Sequence, residues 1–254
     1  MIAGLIGAGV VAFGARRMRA LSTSGAVAGM VVGAIALSAG WSWAILLVAH
    51  FISANALSKL GERRKAKLIG PIVEKGDRRD AKQVLANGGV YALAAIAYVL
   101  SHTRTWSAVG IGALAASAAD TWATEIGTLI GRNPVSIISA RPVPAGTSGG
   151  VSLIGTLASI GGALFIAAGA ALALWPVPFT AVVLGGLAGA VADSLLGATL
   201  QARRWCDVCA KSTERPVHNC GTPTRLAGGI RGFDNDAVNA VCSGVGALVT
   251  LLLS

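Results

Sequence analysis

Long apolar stretches alternate with short polar links along the whole chain. Eight stretches stand out, at roughly 1–15, 23–39, 41–57, 86–101, 106–130, 149–173, 178–201 and 236–253. Several fall short of the ~20 residues that cross about 30 Å of hydrocarbon. The first either lies tilted or is completed by the residues up to Leu21. Gly40-Trp41-Ser42-Trp43 reads as a tight outer turn with aromatic interface anchors, and Trp175-Pro176-Val177-Pro178 as a second. The 59–82 stretch is too polar to span. It reads as a loop that turns at Gly70-Pro71 and leads into the next helix, capped by Asp77 or Asp80. The link at 202–235 is too short and glycine-rich for a domain of its own.

Composition agrees with this pattern. Hydrophobic residues make up 54% of the chain and charged residues 13%, against about 25% charged in soluble domains. The 34 glycines, with abundant alanine, suit helices that approach closely in lipid. The expected fold is an all-α polytopic membrane protein with about eight transmembrane helices in one bundle. It forms a single domain over residues 1–254, with cytoplasmic loops at about 58–85, 131–148 and 202–235.

Charge sets the expected orientation. The formal net charge of +10 does not indicate nucleic acid, because the basic residues sit in the links between apolar stretches. With the N-terminus outside and eight crossings, 20 of the 21 Lys and Arg residues fall on the cytoplasmic side, and Arg104 alone stays outside. Both termini are then outside a cell membrane. No secretory signal is expected, since Arg16, Arg17 and Arg19 follow the first apolar stretch rather than precede it.

Acidic residues inside apolar segments are costly unless paired or hydrated, and they mark function. Asp120 and Glu125 lie in the fifth stretch and Asp193 in the seventh. Helical spacing puts Thr121 with Glu125 on one face, and Asp120 with Thr124 on the adjoining one. All three acids fall in the cytoplasmic halves of their segments. Asp234 and Asp236 stand at the mouth of the last helix, with Asn239 one turn further in. On the same side, Gly146-Thr147-Ser148-Gly149-Gly150 offers backbone N–H groups and hydroxyls at an expected helix start, a phosphate cradle. Asn87-Gly88-Gly89 reads either as ligands at a helix terminus or as a simple cap. Carboxylates beside an anion-binding turn and many basic residues point to magnesium and a phosphorylated substrate. The bland alternatives are topological basic loops, lipid-headgroup contacts and structural hydrogen bonds.

Cys206-x2-Cys209 followed by His218-x-Cys220 supplies four soft donors within fifteen residues. Structural zinc fits the ligand types, and inert or redox thiols are the alternatives. A disulfide framework is not expected in a reducing cytoplasm. Cys242 reads as a packed helix residue.

The stretches 76–89, 119–127, 146–150 and 192–197 resemble a family of bacterial, archaeal and eukaryotic integral membrane proteins. It was long catalogued as a domain of unknown function, and its plant and cyanobacterial members include phytyl-phosphate kinase. The 206–220 loop and Asn235-Asp236-Ala237-Val238-Asn239 fit it too. The resemblance covers nearly the whole chain and extends distantly to dolichol kinases and membrane cytidylyltransferases. It implies a CTP-dependent kinase that adds a second phosphate to an isoprenyl monophosphate. Asp120, Glu125 and Asp193 become the catalytic, magnesium-holding positions, with Arg78, Arg79 and Asp80 as nucleotide or phosphate contacts. Asn87, Thr124, Gly146, Thr147, Ser148, Gly149, Asp236 and Asn239 complete the expected binding set. The implied partners are CTP or another nucleoside triphosphate, the isoprenyl monophosphate and membrane lipid, and a homodimer is compatible. Two other readings stay open: cytidylyl transfer onto a lipid phosphate, and ion-coupled transport.

Overall fold

The computed structural model describes residues 14, 16–17, 20–69, 78–131 and 133–254. Eight helices run through them: α1 (Thr23–Ala39), α2 (Trp41–Lys59), α3 (Glu62–Ile69), α4 (Ala81–Ser101), α5 (Thr105–Ile130), α6 (Leu153–Leu172), α7 (Phe179–Thr199) and α8 (Asn235–Leu252). Seven of them follow the apolar stretches from the second to the eighth. The first stretch, apart from Gly14, lies outside the described residues, as do Arg19, Gly70, Pro71 and Asp77. The remaining helix, α3, is the charged segment expected to be loop.

This is a multi-pass membrane protein, and among the described residues fewer than the eight expected helices have the length and hydropathy of a crossing. Five helices (α2, α4, α6, α7 and α8) are long and apolar enough to cross. At 17 residues α1 is short. The 26-residue α5 carries Asp120, Thr121, Thr124 and Glu125, which lower its hydropathy. It tolerates them because it is sheathed by protein: every residue from Gly110 to Ala119 is buried. It packs against α2, α3, α4, α6, α7 and α8, whereas α1 rests on α2 and α4.

The capping chemistry is legible in the chain. Ser22, Asp80, Ser152 and Asp234 each accept a backbone N–H from three residues on, closing the starts of α1, α4, α6 and α8. At Asp80 the Gln83 side chain returns the bond to complete a capping box. One end of the bundle is closed by aromatics. The Trp43 ring packs tilted against Trp175 at 4.7 Å and Tyr91 at 5.1 Å between centroids, and the Tyr91 hydroxyl donates to the Trp43 carbonyl. Trp43 is therefore a core residue rather than an interface anchor, while its neighbour Trp41 is 72% exposed.

Two links expected as loops contain small sheets. β1 (Val135–Ser136) pairs antiparallel with β2 (Gly150–Val151). In the last link β3 (Arg203–Cys206) lies between β4 (Lys211–Thr213) and β5 (Arg225–Gly228), all antiparallel.

Candidate active site

Small residues bring three helices together and thereby place the acids. A Cβ on Gly185 would collide with Thr250 and stand 2.7 Å from the Gly246 carbonyl oxygen, and one on Gly246 would stand 2.6 Å from that of Gly112. Only glycine lets α5, α7 and α8 approach so closely. Further along, Gly189 of α7 sits against Ala116 of α5 and the Cys242 carbonyl of α8. Four residues beyond that crossing, each of the two parallel helices carries an acid. Asp120 and Asp193 meet there side chain to side chain, within hydrogen-bonding range. Asp193 Oδ2 is buried and receives no hydrogen bond from the described residues. Two carboxylates at this range cannot both stay ionised unaided and need a proton or a cation between them. The Cys242 thiol lies within electrostatic range of both. α8 runs antiparallel, so buried Asp236 and half-buried Asn239 stand toward the same end of the bundle.

Glu125 belongs to a neighbouring arrangement. Its Oε2 pairs with Lys65 Nζ of α3 at 2.5 Å, and Lys65 also donates to the carbonyls of Leu57 and Ser58 at the end of α2. One lysine thus ties α3, the α2 terminus and α5. Glu125 is within electrostatic range of Asp120 and of Arg79. Asp120 and Asp193 form a pair, and the third acid is engaged by a lysine. No compact three-carboxylate cluster exists among the described residues.

Arg79 and Arg78 separate. Arg78 is exposed, whereas Arg79 is held by a strand-like bridge to Leu21, its N–H donating to Ala20 and its carbonyl accepting from Ser22. Burial lowers the pKa of Arg79, and the charge on Glu125 works the other way. Asn87 lies one turn and a half inside α4, so it is neither cap nor terminus ligand. Its amide donates to the Gln83 carbonyl and its Oδ1 accepts from the Ser117 hydroxyl of α5 at 2.9 Å. Ser117 also contacts His50 Nε2 at 3.3 Å. Thr124 is exposed, and Thr121 is the buried threonine of that turn.

The Gly146–Gly150 run does not open α6, because β2 and the Ser152 cap stand between them. It folds instead against the end of α7. Gly146 and Gly149 have φ values of 82° and 76°, and a Cβ on Gly149 would stand 2.7 Å from the Ser194 carbonyl. The Thr147 carbonyl accepts from Gly150 N–H. Ser148 donates its hydroxyl to Glu214 Oε1, which also accepts from Gln201 Nε2 at 2.8 Å. Glu214 in turn lies within electrostatic range of Asp193. The glycine turn, the end of α7 and the sheet of the last link therefore form one joined layer.

That sheet carries the soft donors. Cys206, Cys209, His218 and Cys220 offer four ligand atoms within 4.8 Å of one another, a cluster that could hold a metal ion. Cys206 Sγ and Cys220 Sγ are 3.6 Å apart, and His218 Nδ1 is 3.2 Å from Cys220 Sγ. Each ligand pair is followed by a left-handed residue, Ala210 at φ 49° and Gly221 at φ 83°, which turns the chain back around the cluster. Contacts with Thr222 and then His218 hold the Cys220 thiol down at about 5, and the hydrogen bond with Cys220 leads in pushing Cys209 up to about 11.

Sequence reasoning passed over His50, Lys65, Ser117, Gln201 and Glu214. The signal for His50 was present, as an ionisable residue in an apolar helix. So was the matched spacing of Ala116-x3-Asp120 and Gly189-x3-Asp193, which predicts the paired acids once the helices cross.

No solved structure matches the chain. Among curated proteins it is 31% identical to Protein PGR of Arabidopsis thaliana, over 95% of this chain and 91% of that one. It is 32% identical to an uncharacterized membrane protein of Methanocaldococcus jannaschii, over 76% and 80%. It is also 27% identical to the chloroplastic Protein VTE6 of Arabidopsis thaliana, over 92% and 65%. The model of the family described as integral membrane protein DUF92 matches residues 6–247, and the chain belongs to that family.

Proposed function

We propose that the chain is a CTP-dependent membrane kinase that converts an isoprenyl monophosphate, of phytyl or geranylgeranyl type, to the diphosphate with magnesium. The observation that supports this most is the Asp120–Asp193 pair, two adjoining carboxylates with a buried oxygen left over. Membership of a family whose plant members include phytyl-phosphate kinase supports the same reaction class. Magnesium is commonly held by one or two carboxylates, with waters and substrate phosphate oxygens completing its shell, so a pair suffices where a cluster of three was expected. When bound there, magnesium would offset the charge of the transferring phosphoryl group.

The chain's own residues position the reactants. Arg79 draws a phosphate toward the layer that holds the acids. Arg78, exposed beside it, and Thr147 in the glycine turn face the nucleotide. Glu125 acts through Lys65 as a positioning residue, fixing α3 against α5. Glu214 does the same for Ser148 and Gln201. In the transfer, an ionised oxygen of the isoprenyl phosphate forms a bond to the γ phosphorus. The bond from that phosphorus to the β–γ bridging oxygen breaks, and its electron pair leaves on CDP. No proton is required, and orientation with charge compensation carries the catalysis.

Zinc fits the cysteine cluster, because tetrahedral Zn–S bonds of ~2.3 Å put sulfurs about 3.8 Å apart, close to the 3.6 Å between Cys206 and Cys220. The basic links support a cytoplasmic site with both termini outside.

The test is a product-resolved assay of purified protein with CTP, magnesium and a panel of isoprenyl monophosphates. CDP and the isoprenyl diphosphate are expected. Pyrophosphate with a CDP-lipid would instead mean cytidylyl transfer. Folded protein that turns over no nucleotide but moves substrate down an ion gradient would replace the reading with transport.

A further inference from the structure

The acids explain where phosphoryl transfer would occur, but not where a water-insoluble acceptor sits. Among the described residues, a groove of about 490 Å³ lies between α1, α2 and α4. That volume is within the ~300–1,000 Å³ of small-molecule sites. Its length is apolar, from Leu21 along Gly29, Val32 and Gly33 to Leu37 on one wall, with Ala44 to Ile52 opposite. Leu21 stands just before α1, and the fourteen helical steps from Thr23 to Leu37 give a channel of roughly 21 Å at 1.5 Å per residue. Ile45 and Ile52 are 61% and 60% exposed, so the groove opens sideways, where lipid would be.

One end is chemically different. His50, Arg79, Gln83 and Asn87 line it together. The half-buried Arg79 guanidinium makes no ion pair and no hydrogen bond among the described residues, although a cation withdrawn from water is normally paired. His50 is 4% exposed, and its Nδ1 is buried without a partner. Its other nitrogen contacts Ser117, three residues before Asp120 on α5. A cation and an open imidazole nitrogen therefore sit at the floor of a lipid-length apolar groove, one helical turn from the paired acids. Phospholipid flanks would satisfy the apolar walls, but not the unpaired polar atoms at one end alone.

We infer that the α1–α2–α4 groove is the acceptor site, taking the isoprenyl tail along its walls and the monoester phosphate at Arg79, His50 and Asn87. The inference rests on the kinase reading for the identity of the ligand, and it assigns Arg79 to the acceptor rather than to the nucleotide. The guanidinium binds the phosphate, the Asn87 amide donates to it, and His50 Nδ1, an acceptor because Nε2–H donates to Ser117, takes a hydrogen bond from its P–OH, so that an ionised oxygen faces the acids across Ser117.

The test is photolabelling of the full-length protein in lipid nanodiscs with a diazirine-bearing geranylgeranyl monophosphate, followed by peptide mapping. Label is expected in α1, α2 and α4, displaced by phytyl monophosphate and at least tenfold less well by phytol. Arg79→Ala should erase that roughly tenfold preference, the scale of one charge-assisted contact. Ala49→Trp should block labelling of the groove while nucleotide still binds. Label elsewhere with turnover intact would overturn the groove and leave the kinase standing. Label in the groove that phosphate selects, with no turnover on any nucleotide, would uphold the site and sink the kinase reading. Equal displacement by phytol and phosphate, or crosslinks from residues 1–13 filling the groove in place of label, would overturn the inference.

Discussion

The two sides of the bundle use the same small residues to opposite ends. In the α5–α7–α8 core, glycines at 112, 185, 189 and 246 stand where a single methyl group would strike a neighbouring side chain or backbone carbonyl. In the α1–α2–α4 unit, a Cβ on Gly29 or Gly88 would meet nothing nearer than 3.6 Å and 3.4 Å, ordinary contact distances. Glycine brings the backbones together throughout the first region; in the second it does so only where Gly25 meets the Arg79 carbonyl, and it leaves room along the helices at Gly29 and Gly88. Closeness fixes two carboxylates against each other, and space provides a place for a long apolar chain. An enzyme acting on a membrane-soluble phosphate needs both.

Substitutions should separate the two regions. Gly185→Leu is expected to have the largest effect, since overpacking costs about 1–3 kcal/mol even where the clash can relax. Here it meets the Gly246 carbonyl at 2.7 Å, so folded monodisperse protein should be lost from gel filtration in detergent. Asp193→Asn comes next. It should insert and fold normally, yet lose about 10²–10³ in kcat, the scale of one removed electrostatic stabiliser. Glu125→Gln weakens one arm of the Lys65 tie and should cost about 1–3 kcal/mol in thermal unfolding, with a smaller fall in turnover than Asp193→Asn. At the other extreme, Gly29→Ala should raise the unfolding temperature slightly. Helix propensity favours Ala by about 1 kcal/mol, and no atom stands in the way. A strong loss at Gly29, or tolerance at Gly185, would erase the contrast.

The cysteine cluster offers a separate check. Chelation or Cys206→Ser should release about one zinc per chain by elemental analysis and loosen the sheet that holds Glu214 to Ser148, lowering the unfolding temperature. Full stability with no metal bound would make the four ligands inert.

What the chain discloses follows from the range of the forces involved. Helix bounds and caps are local, so the second to eighth apolar stretches and the Asp80 cap were readable. α4 starts before its apolar run because Lys82 and Gln83 occupy its first turn, where capping rather than hydropathy decides. α3 hid because its charge resembles a loop, and Lys65 finds Glu125 sixty residues away. The three-stranded sheet hid because its strands are short and none carries an alternating apolar face. The acids were legible as types, but their grouping was not. Asp120 and Asp193 meet through glycine contacts between helices, and the same packing leaves Glu125 to a lysine.

The central claim is that the Asp120–Asp193 pair carries phosphoryl transfer. Transfer of radiolabel from [γ-³²P]CTP to phytyl monophosphate, measured for the unaltered protein and for Asp120→Asn and Asp193→Asn with matched folding, tests it most directly. The account predicts labelled phytyl diphosphate from the unaltered protein and at least about a hundredfold less from either variant. Undiminished label from a folded variant would contradict it.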